Sequence, residues 1–134
     1  AANHRIQKFD SDGVFDKTWG TEGSGDGEFD TPYGVAVGPD GSVYVADSGT
    51  LHTDPRIQKF TSEGVFITKW GTEGAGEIGY TRDLFDGVFH YPRGVAVAAD
   101  GSVYVADNYP GAVGASGELI DSKNGRILKF SPGP

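Results

Sequence analysis

An internal repeat constrains the fold of this chain more than any other feature. The segment Gly34–Asp47 returns almost unchanged as Gly94–Asp107. Each copy has two apolar runs separated by Asp-Gly. Both of these residues tolerate positive φ, and Asp-Gly between apolar runs is the strongest short-range signal for a β-hairpin. The runs are almost continuously apolar, which is typical of strands buried on both faces. The sequence therefore predicts two similar hairpins, each covered on both sides.

A second motif recurs around these hairpins. The segment Arg5–Phe9 returns as Arg56–Phe60 and, with one change, as Arg126–Phe130. The first two copies are followed by a Gly-containing turn and a Val-Phe-x-x-x-Trp-Gly strand. If the hairpin strands are named types A and B, and these strands types C and D, the chain reads C, D, A, B, C, D, A, B, C. A four-strand meander that repeats every ~40–50 residues is the sequence signature of a β-propeller blade.

The repeated residues resemble the NHL repeat. Pro-x-Gly-Val-Ala-Val, Asp-Gly, Val-Tyr-Val-Ala-Asp, Arg-Ile-Gln-Lys-Phe and Trp-Gly stand in the order typical of that family. The resemblance implies an all-β fold of four-stranded antiparallel propeller blades, since NHL arrays usually form six-bladed propellers. It predicts strands C and D in residues 1–20, a full blade in residues 32–71, and strands A, B and C in residues 92–130. Because this scaffold hosts binding domains and enzymes alike, it does not define an activity.

About two blades per chain are too few to close a propeller, and isolated blades would leave apolar faces in water. Exposing ~500 Å² of such a face would forgo ~12 kcal/mol, which is comparable to the net stability of a domain. We therefore expect the chain to self-associate into a ring or filament by completing blades between copies, or to form part of a longer six-bladed propeller. One C strand per junction is surplus in the self-associated arrangement, and the sequence assigns it no partner.

The charge and the composition exclude several partners. The net charge of −8 argues against nucleic acid, because phosphate binding needs a basic surface. No apolar run approaches membrane-spanning length, so we expect no membrane insertion. The chain has no Cys and does not begin with Met. Ala1 is then either a processed N-terminus or the edge of a fragment, and we expect an extracellular or periplasmic protein.

Charged residues recur at the end of the B strands and the start of the C strands. Antiparallel pairing would bring Asp47 near Arg56, and Asp107 near Arg126. Each pair is a candidate site for an anionic ligand, but its recurrence with the repeat favours a structural ion pair that fixes the intervening loop. Arg5 has no equivalent Asp before it in the chain. We therefore expect Arg5 to meet Asp107 of another copy.

Three histidines are the candidates for a catalytic metal centre: His4, His52 and His90. The NHL family includes an amidating lyase whose propeller centre holds zinc through His ligands, together with Arg and Tyr residues. The histidines here show no His-x-His or His-Glu-x-x-His spacing, and no lyase residue can be matched position by position. We therefore favour a non-enzymatic scaffold or interaction module and predict no catalytic residue. A metal-dependent lyase or hydrolase is the alternative, and a peptide- or sugar-binding module that uses the long loop after Asp107 is a further one.

Acidic residues in the linkers between D and A strands are weak candidates for a calcium site: Asp26, Glu28, Asp30, Asp83 and Asp86. Calcium needs several oxygen ligands within one loop, and no EF-hand spacing occurs here. We expect a solvated acidic surface and no cofactor. A structural calcium ion is kept as the alternative.

Aromatic residues fall into two groups. Phe9, Phe60 and Phe130, with Trp19 and Trp70, recur at equivalent repeat positions, which favours packing between blades over a ligand-stacking stripe. Other aromatic residues lie in insertions and are candidates for contact with a partner. The partner would be another copy of the chain, or a protein or peptide ligand. The predicted interface residues are Ile6, Phe9, Trp19, Tyr80, Phe85, Tyr109 and Phe130.

Overall fold

The computed structural model describes residues 3–48, 55–71, 92–107 and 126–131. Over these ranges the chain forms β-strands and no helix, which confirms the expected all-β fold. No segment able to cross a membrane as a helix occurs in the described ranges. The strands are β1 (Ile6–Phe9), β2 (Phe15–Trp19), β3 (Pro32–Val37), β4 (Val43–Asp47), β5 (Arg56–Phe60), β6 (Phe66–Trp70), β7 (Pro92–Val97), β8 (Val103–Asp107) and β9 (Arg126–Phe130).

The strands form three antiparallel sheets. The first sheet contains β1 and β2, the second contains β3, β4, β5 and β6, and the third contains β7, β8 and β9. Within each sheet every strand lies beside its neighbour in sequence, so each sheet is a meander. The second sheet is a complete four-stranded blade, and the other two are partial blades over the described residues.

The register repeats from sheet to sheet. Ile6 lies opposite Trp19 in the first sheet, and Ile57 lies opposite Trp70 in the second. Both ladders carry an irregularity between the lysine and the phenylalanine of the C strand. Because the side chains of a strand alternate between faces, an equal register places equivalent side chains on equivalent faces of the sheets.

Both residues of each Asp-Gly turn tolerate positive φ, but only the glycine adopts it. In the second sheet, Gly41 donates its N–H to the carbonyl of Gly38, and Gly38 donates to the carbonyl of Ser42. Gly41 has a φ of 91°, whereas Asp40 does not adopt positive φ. The Asp40 carboxylate instead accepts the N–H of Ser42 at 2.9 Å. The third sheet makes the same turn without a proline, so in both sheets the hydrogen bond to the Asp carboxylate accompanies a longer turn that is closed by one left-handed glycine.

The second sheet lies between the other two, and both of its faces are covered. Strand β4 is buried at all of its positions, as the continuous apolar run predicts. The core toward the first sheet contains Phe29, Val43, Val45 and Phe60, with Ile6, Trp19 and Phe66 packed around it. The core toward the third sheet contains Tyr44, Ala46, Ile57, Val103 and Val105.

Small side chains let the inner strands of the second and third sheets approach closely. A Cβ added to Gly34 would lie 2.0 Å from the carbonyl oxygen of Arg93, so a larger residue would force these strands apart. The Ser48 hydroxyl donates to the carbonyl of Pro92 at 2.6 Å. The Arg93 guanidinium lies 4.4 Å from the ring centroid of Tyr33. These contacts join the two sheets along their inner edge.

Candidate interaction site

The contact between the first and second sheets shows how two blades pack when the space between them is filled. The ring centroids of Trp19 and Phe60 lie 5.8 Å apart. Gly64, in the turn before β6, lies so close to the indole that an added Cβ would be 2.6 Å from its ring atoms. Lys8 Nζ donates to the carbonyl of Ser62, in the same turn, at 3.1 Å. The turn between strands C and D thus forms part of the sheet-to-sheet contact.

Ion pairs also join this turn to the first sheet. Lys17 donates a hydrogen bond to Glu63, and Lys8 Nζ lies 3.7 Å from the same carboxylate. The hydrogen bond between Lys17 and Glu63 is the main cause of a raised pKa at Lys17 and a lowered pKa at Glu63. Because these groups are solvated, the ion pair adds little to stability. Its role is to orient the turn against the first sheet.

A buried ion pair joins the end of β4 to the start of β5. Arg56 Nη2 lies 3.3 Å from Asp47 Oδ2, and the two side chains are only 5% and 1% exposed. Asp47 also accepts the backbone N–H groups of Asp30 and Thr31. Arg56 donates to two carbonyls of the same linker. The charges are therefore satisfied within the chain, which makes this pair an internal support for the blade.

The linker before β3 is part of the core, and sequence reasoning did not anticipate this. Phe29 is fully buried, with its ring centroid 5.7 Å from that of Phe60. Gln58 is fully buried too; it accepts the N–H of Gly27 and donates to the carbonyl of Glu28. The available signal was a glutamine on β5, a strand that pairs with the almost continuously apolar strand β4. Such a residue needs polar partners when it is buried.

The contact between the second and third sheets leaves a cleft. The Trp70 ring centroid lies 5.5 Å from that of Phe130 and 6.3 Å from that of Tyr44. Beside these rings opens a cavity of about 690 Å³. In the first contact the turn before β6 and the side chain of Phe66 fill the equivalent space. Residues lining the cleft include Asp40, Tyr44, Lys59, Thr68, Trp70, Asp100, Phe130 and Ser131.

The outward face of the third sheet carries the side chains that form a core in the second sheet. Tyr104 and Ile127 are 36% and 66% exposed, whereas their equivalents Tyr44 and Ile57 are 6% and 0% exposed. Strand β8 accordingly alternates between buried and exposed positions. The expectation of burial on both faces is thus met in the second sheet and not in the third, because no sheet among the described residues covers this face.

The outward face of the first sheet is aromatic. Phe9 and Phe15 are 51% and 52% exposed, and their rings make an edge-on contact at 5.9 Å. Their equivalents in the second sheet, Phe60 and Phe66, belong to the core toward the first sheet. The two end sheets therefore present different apolar surfaces.

The other predicted ion pairs are those of Asp107 with Arg126, and of Arg5 with Asp107 of another copy. Asp107 lies opposite Arg126 in the register of β8 and β9, and Asp107 is 1% exposed. The side chain of Arg126 lies outside the described part of the structure. Arg5 is exposed, and its contact with Asp107 of another copy stays a prediction.

Among the predicted metal ligands, His4 is described, whereas His52 and His90 lie outside the described ranges. His4 has a φ of 48°, and its Nδ1 is buried without a hydrogen-bond partner among the described residues. The described residues contain no group of three His, Asp or Glu side chains that could hold one metal ion.

The acidic candidates of the first linker contact other protein groups. Asp26 Oδ1 lies 2.8 Å from Lys69 Nζ, and Glu28 accepts the N–H of Gly25 at 2.8 Å. Asp30 donates its backbone N–H to Asp47. The calcium alternative is not tested by these contacts. The other acidic candidates and three of the interface candidates lie outside the described residues: Asp83, Asp86, Tyr80, Phe85 and Tyr109.

Two segments of the chain match the model of a known repeat family. A family model for the NHL repeat matches residues 29–52 and 89–115, which contain the paired strands β3 and β4, and β7 and β8. The chain is 46% identical to Protein lin-41 of Caenorhabditis elegans over 52 residues, which are 39% of this chain and 4% of that protein.

Two longer similarities extend over 94% of the chain. Peptidyl-glycine alpha-amidating monooxygenase A of Xenopus laevis is 32% identical over 132 residues, which are 13% of that protein. Protein brain tumor of Drosophila melanogaster is 30% identical over 127 residues, which are 10% of that protein. The chain therefore spans a small part of the length of each relative.

Proposed function

Since the chain belongs to the NHL-repeat family, we propose that it is a non-enzymatic propeller module that self-assembles by completing blades between copies. Its sheets are complete or partial NHL blades. The proposal rests on one observation: the side chains that form a core on the second sheet lie exposed on the third sheet. Burying such a surface is favourable by ~25 cal/mol for each Å² removed from water.

The two end surfaces differ, and that difference supports a head-to-tail arrangement. Inside the chain, the face of the second sheet with Tyr44 and Ile57 packs on the face of the third sheet with Val103 and Val105. The exposed face of the third sheet carries Tyr104 and Ile127, which are the equivalents of Tyr44 and Ile57. The exposed face of the first sheet carries the equivalents of Phe60 and Phe66, which face the preceding sheet of the chain. Contacts between unlike surfaces build rings when the rotation closes and filaments when it does not.

The proposal is tested by sedimentation velocity over a range of protein concentrations. Ile127→Asp places a charge on the outward face of the third sheet. Val65→Asp is the matched control, because Val65 is 61% exposed but lies beside the turn of the second sheet. We expect the wild type and Val65→Asp to form the same large species and Ile127→Asp to shift toward the single chain. Assembly of Ile127→Asp at wild-type concentrations would contradict the proposed surface.

A second candidate function is a fragment of a metal-dependent propeller enzyme. It is supported by the similarity of 94% of the chain to Peptidyl-glycine alpha-amidating monooxygenase A. The measurement that separates the two candidates is the zinc content of purified, dialysed protein. About one zinc ion retained per chain would favour the enzyme, whereas an assembled protein without zinc would favour the module.

A further inference from the structure

We propose that the open edge of β9, with the cleft beside it, is an acceptor site for strand β2 of a second copy of this chain. The inference deepens the proposed function and rests on it, because it names the edge, the donor strand and the register through which copies join. Among the described residues, β9 pairs with β8 and has no strand on its other side.

The pairing exists twice within the chain and supplies the template. In the first sheet Ile6 lies opposite Trp19, and in the second Ile57 lies opposite Trp70. Strand β9 repeats the motif of β1 and β5 with Ile127 at the equivalent position. The acceptor edge therefore matches a strand with the pattern Phe-x-x-x-Trp, which β2 carries.

The cleft has room for the aromatic side chain of the incoming strand. In the second sheet, the Phe66 ring lies 6.0 Å from that of Phe60 and packs against the same core as Trp19. At the contact between the second and third sheets the equivalent rings, Phe130 of the third sheet and Trp70 of the second, line the cleft. Phe15 of the second copy, which is 52% exposed in its own sheet, would enter this space and cover the indole of Trp70.

Charge complementarity supports the same donor. Between the first and second sheets, Lys8 contacts Glu63 in the turn that precedes a D strand. Lys59 is the equivalent of Lys8, and it lines the open cleft. The turn that precedes β2 carries Asp12 at the position of Glu63. A donated segment 11–20 would thus bring a carboxylate to Lys59.

Donation of β2 also accounts for the surplus C strand. In its own chain β2 pairs with β1, and β1 has no second strand beside it in the described ranges. When β2 transfers to β9 of another copy, β1 is the strand that is released. Exchange of an equivalent element between copies is a low-cost route to assembly.

Engineered disulfides test this register directly, because the chain contains no Cys. Lys8 lies opposite Lys17 in the first sheet, so Lys129 is expected opposite Lys17 of the second copy. Equimolar Lys129→Cys and Lys17→Cys variants are mixed at a concentration where the wild type assembles, and are then oxidised. Thr18→Cys is the matched control, since Thr18 follows Lys17 in the regular part of the ladder and a shift of one residue there moves the thiol to the other face of the strand. Intact-mass spectrometry measures the mixed disulfide-linked dimer, and sedimentation is recorded on the same samples.

We expect the mixed dimer with Lys17→Cys to exceed that with Thr18→Cys severalfold. An excess of a synthetic peptide of residues 11–20 should lower the yield, whereas the same peptide with Phe15→Ala should not. Assembly in sedimentation without preferential linkage through position 17 would overturn this inference and leave the proposed function standing. A monomer that forms no linked dimer would overturn both.

Discussion

Ile57 and Ile127 occupy the same position of the same motif, yet Ile57 is fully buried and Ile127 is 66% exposed. Both follow an arginine at the start of a C strand, and both strands pair with a B strand in the same register. The difference arises because the third sheet covers Ile57 while no further sheet of the described residues covers Ile127. A chain with such an end surface gains stability when another blade packs there.

Truncation of the two isoleucines should have unequal effects. Ile57→Ala leaves a cavity between two sheets and should lower the free energy of unfolding by about 2–5 kcal/mol. Ile127→Ala removes a solvated side chain and should change it by less than about 0.5 kcal/mol in dissociated protein. Urea denaturation at low protein concentration measures both values. An equal loss for the two variants would show that Ile127 is already buried within a single chain.

The equivalent glycines of the two C-to-D turns separate backbone strain from packing. Gly13 and Gly64 have φ values of 84° and 88°, so alanine at either position should cost about 1–2 kcal/mol. A Cβ at position 13 would meet nothing within 4 Å, whereas one at position 64 would meet the Trp19 ring at 2.6 Å. Gly64→Ala should therefore destabilise the protein more than Gly13→Ala in thermal denaturation. Equal effects would rule out the predicted contact with Trp19.

The buried ion pair should be far more sensitive to mutation than the exposed one. Asp47→Ala leaves the Arg56 guanidinium and two backbone N–H groups without their acceptor, and should cost about 3–5 kcal/mol. Glu63→Ala breaks ion pairs with Lys8 and Lys17 at the surface, and should cost at most about 1 kcal/mol. Guanidinium chloride denaturation compares the two variants. Near-wild-type stability of Asp47→Ala would contradict a supporting role for the pair.

Two turn carboxylates should contribute to the acid sensitivity of the protein. The backbone N–H groups of Ser42 and Ser102 donate to Asp40 and Asp100 and lower the pKa of each carboxyl below its ordinary value of 3.8. A carboxyl with a lowered pKa in the folded state contributes stability above its unfolded pKa, and loses it as the pH falls through the folded value. The contribution should therefore be complete above about pH 4 and disappear below it.

The double variant Asp40→Asn/Asp100→Asn removes these ionisations and keeps a side-chain oxygen in each turn. Its melting temperature should fall less steeply than that of the wild type between about pH 5 and about pH 2. Parallel melting curves over this range would show that the turn carboxylates do not contribute.

Repetition made the strands and their order predictable from the sequence. The motifs around Ile57 and Ile127 carry the same residues, so their strand type and register follow from local pattern. The closeness of Asp47 and Arg56 follows from antiparallel pairing of adjacent strands. Each of these features depends on residues that are close in sequence or aligned by the repeat.

Features that depend on distant contacts were not predictable in the same way. Phe29 of the linker packs on Phe60 of β5, and Gln58 of β5 hydrogen-bonds to the linker backbone. Nothing in the linker's glycine-rich pattern distinguishes it from an exposed loop. Gly64 is restricted by Trp19, which belongs to another sheet. In the turn at Asp40 both residues of Asp-Gly tolerate positive φ, but only Gly41 adopts it, and the Asp40 carboxylate accepts the N–H of Ser42 instead. The cleft beside Trp70 lies between two sheets, so it depends on how the sheets pack and not on the local pattern of either strand.

The mass of the intact chain in solution tests the central claim most directly. Sedimentation equilibrium over a range of concentrations should give species heavier than the 14.1 kDa of one chain, in whole-number multiples and increasing with concentration. A single 14.1 kDa species that persists at micromolar concentration and above would contradict the account, because the exposed faces of the end sheets would then be stable in water.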